Sequence, residues 1–229
     1  MPPPKLKTCL FLGPSNGEKQ AANRLLPPDY ETNPFKYLPP RITLSDAELD
    51  LANRYESNDL SGGYLTSQVA YFRRGPSAEQ HRQRREKSRQ LKAEVDRLGL
   101  VLPAAYLELV ESDDYVSRLR HGVIRLRIPD EVVPLPSDPE HKLYLIFYED
   151  QGGGYWHLLL SPDGGHVVTS SAYHFGVRYQ YSSGAGPDPA TFEVYQCADS
   201  FAAWIVNYFA ECVDHDRHYE DLLYQYPGW

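Results

Sequence analysis

Hydrophobic and polar residues in the first half of the chain recur with the period of α-helices. Ser45 and Glu48 have the spacing of a capping box, which predicts a short helix that begins at Ser45. Ser77 and Gln80 form a second such pair and predict a helix from residue 78 to about residue 98. A proline is favoured in the first helical turn, so a third helix is predicted to begin at Pro103.

The second predicted helix has two different halves. Its second half carries Leu91, Val95 and Leu98 on one face, and Gly99 is expected to end it. Its first half shows no apolar stripe and is rich in arginine, so we expect this half to face water or a partner. Ahead of this helix, residues 64–72 alternate well enough to predict a strand or an extended segment.

The second half of the chain has the pattern of strands. Residues 123–128 alternate, residues 143–148 form an almost continuous apolar run, and residues 155–160 and 166–169 flank an Asp-Gly turn that is typical of a hairpin. A final helix is predicted from about residue 200 to residue 213, with a broad aromatic stripe. The expected core contains one set of side chains from these elements: Tyr106, Leu107, Ile146, Tyr155, Leu159, Trp204 and Tyr208.

These elements predict an α+β fold, mainly an antiparallel sheet with helices packed against it, plus an irregular proline-rich N-terminal arm. The arm comprises residues 1–43, which hold most of the proline clusters. Proline fixes φ and lacks a backbone donor, so regular structure is not expected there. The predicted division is a segment of residues 1–78 and an α+β domain of residues 79–229.

Charge is unevenly distributed along the chain. Residues 73–92 carry eight basic and two acidic side chains, a net +6, whereas residues 93–229 carry eight basic and 21 acidic side chains, a net −13. The whole chain has a formal charge of −8 and would repel DNA at long range, so no nucleic-acid partner is expected. A surface of this sign favours association with a basic protein, although solubility alone is an equally good explanation.

The cysteine count and the hydropathy pattern bear on location. Three scattered cysteines do not make a disulfide framework, and no apolar run approaches the roughly 20 residues of a membrane span. We therefore expect a cytoplasmic protein without membrane association.

The search for catalytic or metal-binding motifs gives weak candidates. Cys197, Cys212, His215 and His218 are zinc-ligand types, but their spacing is poor and a metal site is not predicted. The glycines at 152–154 follow two carboxylates that would repel phosphate. Serine and histidine residues show no spacing that selects a catalytic triad. The prediction is a protein with no catalytic residues, no metal and no cofactor.

Three stretches of the chain together resemble a known family. Leu102-Pro103 followed by Tyr106 and Leu109 is similar to the opening motif of the SUKH superfamily, which includes bacterial toxin-immunity proteins and fungal cell-wall regulators. Residues 146–156 resemble that family's central strand, acidic-glycine turn and aromatic strand, and residues 200–204 resemble the start of its last helix. The resemblance covers roughly residues 79–213 and implies a non-enzymatic binding role.

The functional hypothesis is therefore a protein-binding module, in particular an immunity protein that masks a basic toxin domain. The alternative is a scaffold or regulatory protein that uses the proline-rich arm to recruit partners. The oligomeric state is left open. The residues proposed to bind the partner lie in a turn, in the strand after it and in a later loop: Glu149, Asp150, Gly152, Gly153, Gly154, Trp156, Tyr179 and Tyr181.

Overall fold

The computed structural model describes residues 7–8, 26–59, 63–119, 124–126, 128, 132–135, 138–149, 155–162, 167–171, 195–210 and 213, some of them by their backbone alone. A 3₁₀ turn at Pro34–Tyr37 precedes the helices. The helices are α1 (Asp46–Glu56), α2 (Tyr64–Arg74), α3 (Ala78–Arg97), α4 (Ala104–Glu111), α5 (Asp113–Arg118) and α6 (residues 201–210).

The described residues also include seven strands. They are β1 (Lys7–Thr8), β2 (Ile124–Leu126), β3 (Val133–Leu135), β4 (Asp138–Glu149), β5 (Tyr155–Leu160), β6 (Val167–Ser171) and β7 (Tyr195–Ala198). Their order is β1-β7-β6-β5-β4-β2, and β3 also pairs with β4. The pairs are antiparallel except for β1 with β7, and β5 pairs with β6 from Tyr155 opposite Ser171 to Leu159 opposite Val167.

The prediction of a mainly antiparallel sheet is wrong. Among the residues whose side chains are described, 60% are helical. Only two strands, β5 and β7, have most of their side chains described. They are not neighbours, because β6 lies between them, so the residues with described side chains form no sheet. The sequence pattern underestimated the helices because it missed two of them, α2 and α5.

The segment 64–72, predicted as extended, belongs to helix α2. Its N-cap is Gly63, whose φ of 91° suits glycine. Val69 and Ala70 are buried, and Tyr55 of α1 lies against Tyr71, with the ring centroids 5.1 Å apart. The alternation was misleading because an amphipathic helix that packs on one neighbour needs only a narrow buried face.

The capping boxes at Ser45 and Ser77 are confirmed. Each serine side chain accepts a hydrogen bond from the backbone N–H three residues later, and the Glu48 and Gln80 side chains each accept one from the backbone N–H of the capping serine. Helix α3 ends where Gly99 adopts a φ of +68°, as the sequence predicted.

The core lies where α3, α4 and α6 meet strand β5. Trp204 stacks on Tyr208 at 5.2 Å between ring centroids and lies 6.1 Å from Trp156 of β5. Of the predicted core residues, four are buried and Leu107 is partly buried, while the side chains of Ile146 and Tyr155 lie outside the described residues. The buried four are Tyr106, Leu159, Trp204 and Tyr208.

Part of the proline-rich arm belongs to this core. Phe35 and Leu38 are buried, and Phe35 stacks on Tyr115 of α5 with 4.4 Å between ring centroids. Ser200, next to α6, donates a hydrogen bond to the Glu31 carboxylate at 2.6 Å. The arm is therefore tied to both α5 and α6.

Candidate functional site

The first half of α3 buries a polar face, which corrects the expectation that it faces water or a partner. His81, Arg84 and Ser88 are all buried, and they continue the line of Leu91 and Val95 towards the start of the helix. The spacing of these five residues is 3, 4, 3 and 4, so they share one side of the helix. A buried arginine is rare unless it is paired. We call the group formed by His81, Arg84, Arg85, Asp113 and Ser117 the polar cluster.

Arg84 joins α3 to the junction between α4 and α5. Its Nε donates to the carbonyl oxygen of Val110 at 2.7 Å, and its Nη2 donates to Asp113 Oδ1 at 2.5 Å. Val110 lies in the last turn of α4, where backbone carbonyls lack a partner within the helix and the helix dipole favours a cation. Asp113 is the first residue of α5, where the dipole favours an anion. One guanidinium therefore bonds both a carbonyl at the end of α4 and the carboxylate at the start of α5.

Asp113 is the shared anion of the polar cluster. It also accepts a hydrogen bond from Arg85 Nη1, and this bond is the main reason why the pKa of its carboxyl lies below its usual value; desolvation opposes the shift, and the bond from Arg84 adds a smaller lowering. The Asp113 side chain remains 49% exposed, whereas that of Arg84 is only 8% exposed. Burial lowers the pKa of Arg84, and Asp113 acts in the opposite direction.

His81 completes the network with Ser117. Its Nδ1 contacts Arg84 Nη1, and its Nε2 lies 3.2 Å from Ser117 Oγ, which in turn donates to the backbone carbonyl of Asp113 at 2.7 Å. Because a guanidinium can only donate, Nδ1 must be the acceptor and Nε2 must carry the proton. Desolvation first, and then the charge of Arg84, lower the pKa of His81, which favours the neutral imidazole over the imidazolium.

The polar cluster has the distances of a Ser-His-Asp triad with its hydrogen bonds reversed. His81 Nδ1 lies 3.3 Å from Asp113 Oδ1, so the three residue types of a triad are in contact. In a working triad, however, the aspartate accepts from Nδ1–H and the free Nε2 takes the proton of the serine. Here Arg84 donates to His81 Nδ1, and His81 Nε2 donates to Ser117 Oγ. In this arrangement His81 has no lone pair to offer as a base to Ser117.

Trp156, expected to be an outward partner-binding residue, is 4% exposed and lies in the core. All five residues from Trp156 to Leu160 are buried, so β5 is covered on both faces. Glu149 ends β4, and its side chain is not among those described. The other predicted partner-binding residues lie outside the described residues: Asp150, Gly152, Gly153, Gly154, Tyr179 and Tyr181.

Of the weak zinc candidates, only Cys197 lies among the described residues, where its side chain is half-buried. In the same residues, no group of three or more metal-ligand side chains comes together. No helix within them is long and apolar enough to cross a membrane. Cys212, His215 and His218 lie outside this part of the chain.

Comparison of the chain with models of protein families, with curated proteins and with solved structures found no match. The resemblance to the SUKH superfamily therefore stays a prediction.

Sequence reasoning missed the polar cluster because it assigned the arginine-rich half of α3 to contact with water or a partner and not to a specific buried network. One signal was present: the apolar stripe of α3, extended backwards at the same spacing, falls on Ser88, Arg84 and His81. The spacing of these residues could have predicted a buried polar face. It could not have predicted the partner, since Asp113 lies 29 residues after Arg84.

Proposed function

We propose that the chain is a non-catalytic protein-binding module that neutralises a basic toxin domain by covering it. The observation that carries this proposal is the excess of 13 negative charges over residues 93–229, with eight basic against 21 acidic side chains. A toxin that binds nucleic acid must be basic, so an inhibitor of it is expected to be acidic.

The outer side of α4 and α5 offers acidic groups for such a partner. Glu108, Glu111 and Asp114 are exposed there, and Tyr115 donates to Glu108 Oε1 at 3.4 Å. The polar cluster supports a binding role because it fixes α4 and α5 in place. A surface that does not rearrange loses less conformational entropy on binding.

The test is capture of a partner with the purified chain, followed by kinetics of the identified pair. Glu108→Lys/Glu111→Lys should lower the association rate by about tenfold or more, and salt raised from about 0.05 M to about 0.5 M should do the same. Glu149→Lys/Asp150→Lys tests the turn that the sequence indicated. Glu86→Lys/Asp96→Lys is the matched control, because both carboxylates are exposed on α3 and the change in net charge is the same.

Neutralisation is tested by co-expression in the host. The captured partner should arrest growth alone and permit growth together with the wild-type chain. A partner that is not basic, or an association rate that neither salt nor Glu108→Lys/Glu111→Lys alters, would contradict the proposal.

A scaffold role is the second candidate, and the proline clusters of residues 1–43 favour it. In that case a peptide of residues 1–33 should capture the same partner as the whole chain. Capture that depends instead on the acidic residues of α4 would exclude this alternative.

A further inference from the structure

Residues 34–40 of the arm are seated on α5 and α6. The Phe35 ring stacks on Tyr115 with an interplanar angle of 15° and lies 6.2 Å from the ring of Phe209. Phe35 and Leu38 are 7% and 6% exposed, so both act as anchors. We call the surface formed by Tyr115, Arg118 and Phe209 the arm seat.

Arg118 binds the arm through its main chain. Its Nε donates to the carbonyl oxygen of Pro39 at 2.6 Å, and its Nη2 donates to that of Leu38 at 3.1 Å. Leu38 has φ −57° and ψ 136°, close to the polyproline II conformation, which leaves backbone carbonyls without internal partners. The third nitrogen of Arg118, Nη1, donates to Asp114 Oδ2 at 3.2 Å. The guanidinium thus recognises a backbone shape that any similar segment could present.

The arm carries part of its own structure and is joined to the rest by an exposed connection. Asp29 accepts hydrogen bonds from Lys36, at 3.0 Å, and from Tyr37, and these contacts shape the 3₁₀ turn without help from the seat. Residues 41–44 are exposed or half-buried and take part in none of the hydrogen bonds found among the described residues. Residues 34–40 are therefore attached to the seat mainly through Phe35, Leu38 and the two carbonyls, whereas other parts of the arm bind elsewhere, through the hydrogen bond of Glu31 with Ser200 and the pairing of β1 with β7.

We propose that the arm seat is a docking site for a partner peptide, and that residues 34–40 are its intramolecular competitor. The peptide that fits has an aromatic residue, a leucine three positions later and a proline immediately after the leucine. The aromatic ring stacks on Tyr115, the leucine replaces Leu38, and Arg118 binds the two carbonyls. The arm seat adjoins the acidic side of α4 and α5 at Asp114 and Tyr115, but Glu108→Lys/Glu111→Lys tests the acidic side and Arg118→Ala tests the seat, so either proposal can fail without the other.

The experiment uses the full chain with a specific protease sequence inserted between Ile42 and Thr43. The probe is a fluorescent synthetic peptide of residues 29–41, and its binding is followed by anisotropy before and after cleavage. A tethered arm competes at an effective concentration in the millimolar range, so cleavage should tighten probe binding by about tenfold or more. The same peptide with Phe35→Ala and Leu38→Ala should bind about thirtyfold or more weakly, the loss typical of anchor residues.

Arg118→Ala in the chain should weaken binding of the probe. Arg97→Ala removes the same charge at an exposed position of α3 and should leave binding unchanged. The peptide variants need no change in the seat, so the test stands even if Arg118→Ala does not fold. A folded, cleaved chain that never admits the probe would overturn the proposal, as would loss of helical circular dichroism when the fragment leaves. Dimers formed by exchange of arms without any probe would assign the seat to a second copy of the chain instead.

Discussion

Arg84 is the residue whose removal tests the polar cluster most directly. We expect Arg84→Ala to lower the free energy of unfolding by about 3–5 kcal/mol. Loss of the guanidinium leaves the Val110 carbonyl without its donor, which costs about 1–3 kcal/mol. Loss of the buried methylenes adds about 2 kcal/mol at roughly 0.8 kcal/mol each.

The other partners of Arg84 should add little to this cost. Asp113 is half exposed and keeps Arg85, so water and one arginine still solvate it. His81 can change tautomer and donate from Nδ1 to Asp113, 3.3 Å away. Arg84→Met keeps most of the methylene packing, and its loss should therefore fall to about 1–3 kcal/mol.

The assay is urea denaturation followed by circular dichroism, with the slope compared between variants to confirm that the same surface unfolds. Arg82→Met is the control, because Arg82 is 68% exposed and pairs only with Glu79 within the helix. Its effect should stay within about 0.5 kcal/mol. If Arg84→Met costs no more than Arg82→Met, the guanidinium does not join α3 to the α4–α5 junction and the reasoning is wrong.

Three further predictions follow from the same core. Ser88→Ala should raise the free energy of unfolding, measured in urea, by about 0.5–2 kcal/mol, because Ser88 Oγ is buried without a hydrogen-bond partner among the described residues. A lower free energy of unfolding would instead show that Ser88 Oγ has a hydrogen-bond partner. Phe35→Ala should lower it by about 3–5 kcal/mol, whereas Tyr64→Ala, at a ring 53% exposed, should cost under about 1 kcal/mol; equal losses would show that Phe35 is not buried. The folded-state pKa of His81 lies below its ordinary value of 6.5, so its share of stability is complete above that pH and falls as the pH drops through the folded pKa; His81→Gln should remove this part of the pH dependence, and an unchanged profile would refute it.

The helix starts could be predicted because capping is a local interaction. Ser45 and Ser77 each act on a residue three positions away, so four letters of sequence contain the whole motif. The aromatic stripe of α6 was predictable for a similar reason, since its period alone identifies a buried face. The capping serine at 200 accepts from the backbone of Ala203, as at other helix starts.

The errors arose where a contact distant in the chain decides the structure. Helix α2 is selected by its packing on α1, where Arg74 binds Glu56 at 2.9 Å, 18 residues earlier. Helix α5 has only six residues and would not be stable alone, so its periodicity is too short to detect. The burial of Trp156 depends on Trp204, which a strand pattern does not include. In each case the deciding partner is absent from the local sequence window.

Helix α5 connects the polar cluster with the arm seat. Its first residue, Asp113, is held by Arg84 and Arg85, and its last residue, Arg118, holds the carbonyls of the arm. A helix this short takes its orientation from its contacts rather than from its own hydrogen bonds. The direction of the Arg118 fork therefore depends on the salt bridge of Asp113, about one and a half turns earlier. Protonation of His81 removes the acceptor of Arg84 Nη1 at Nδ1, while Asp113, 3.3 Å from Nδ1, attracts the new positive charge. Asp113 is therefore the residue through which the polar cluster fixes the orientation of Arg118 and of the carbonyls that it binds.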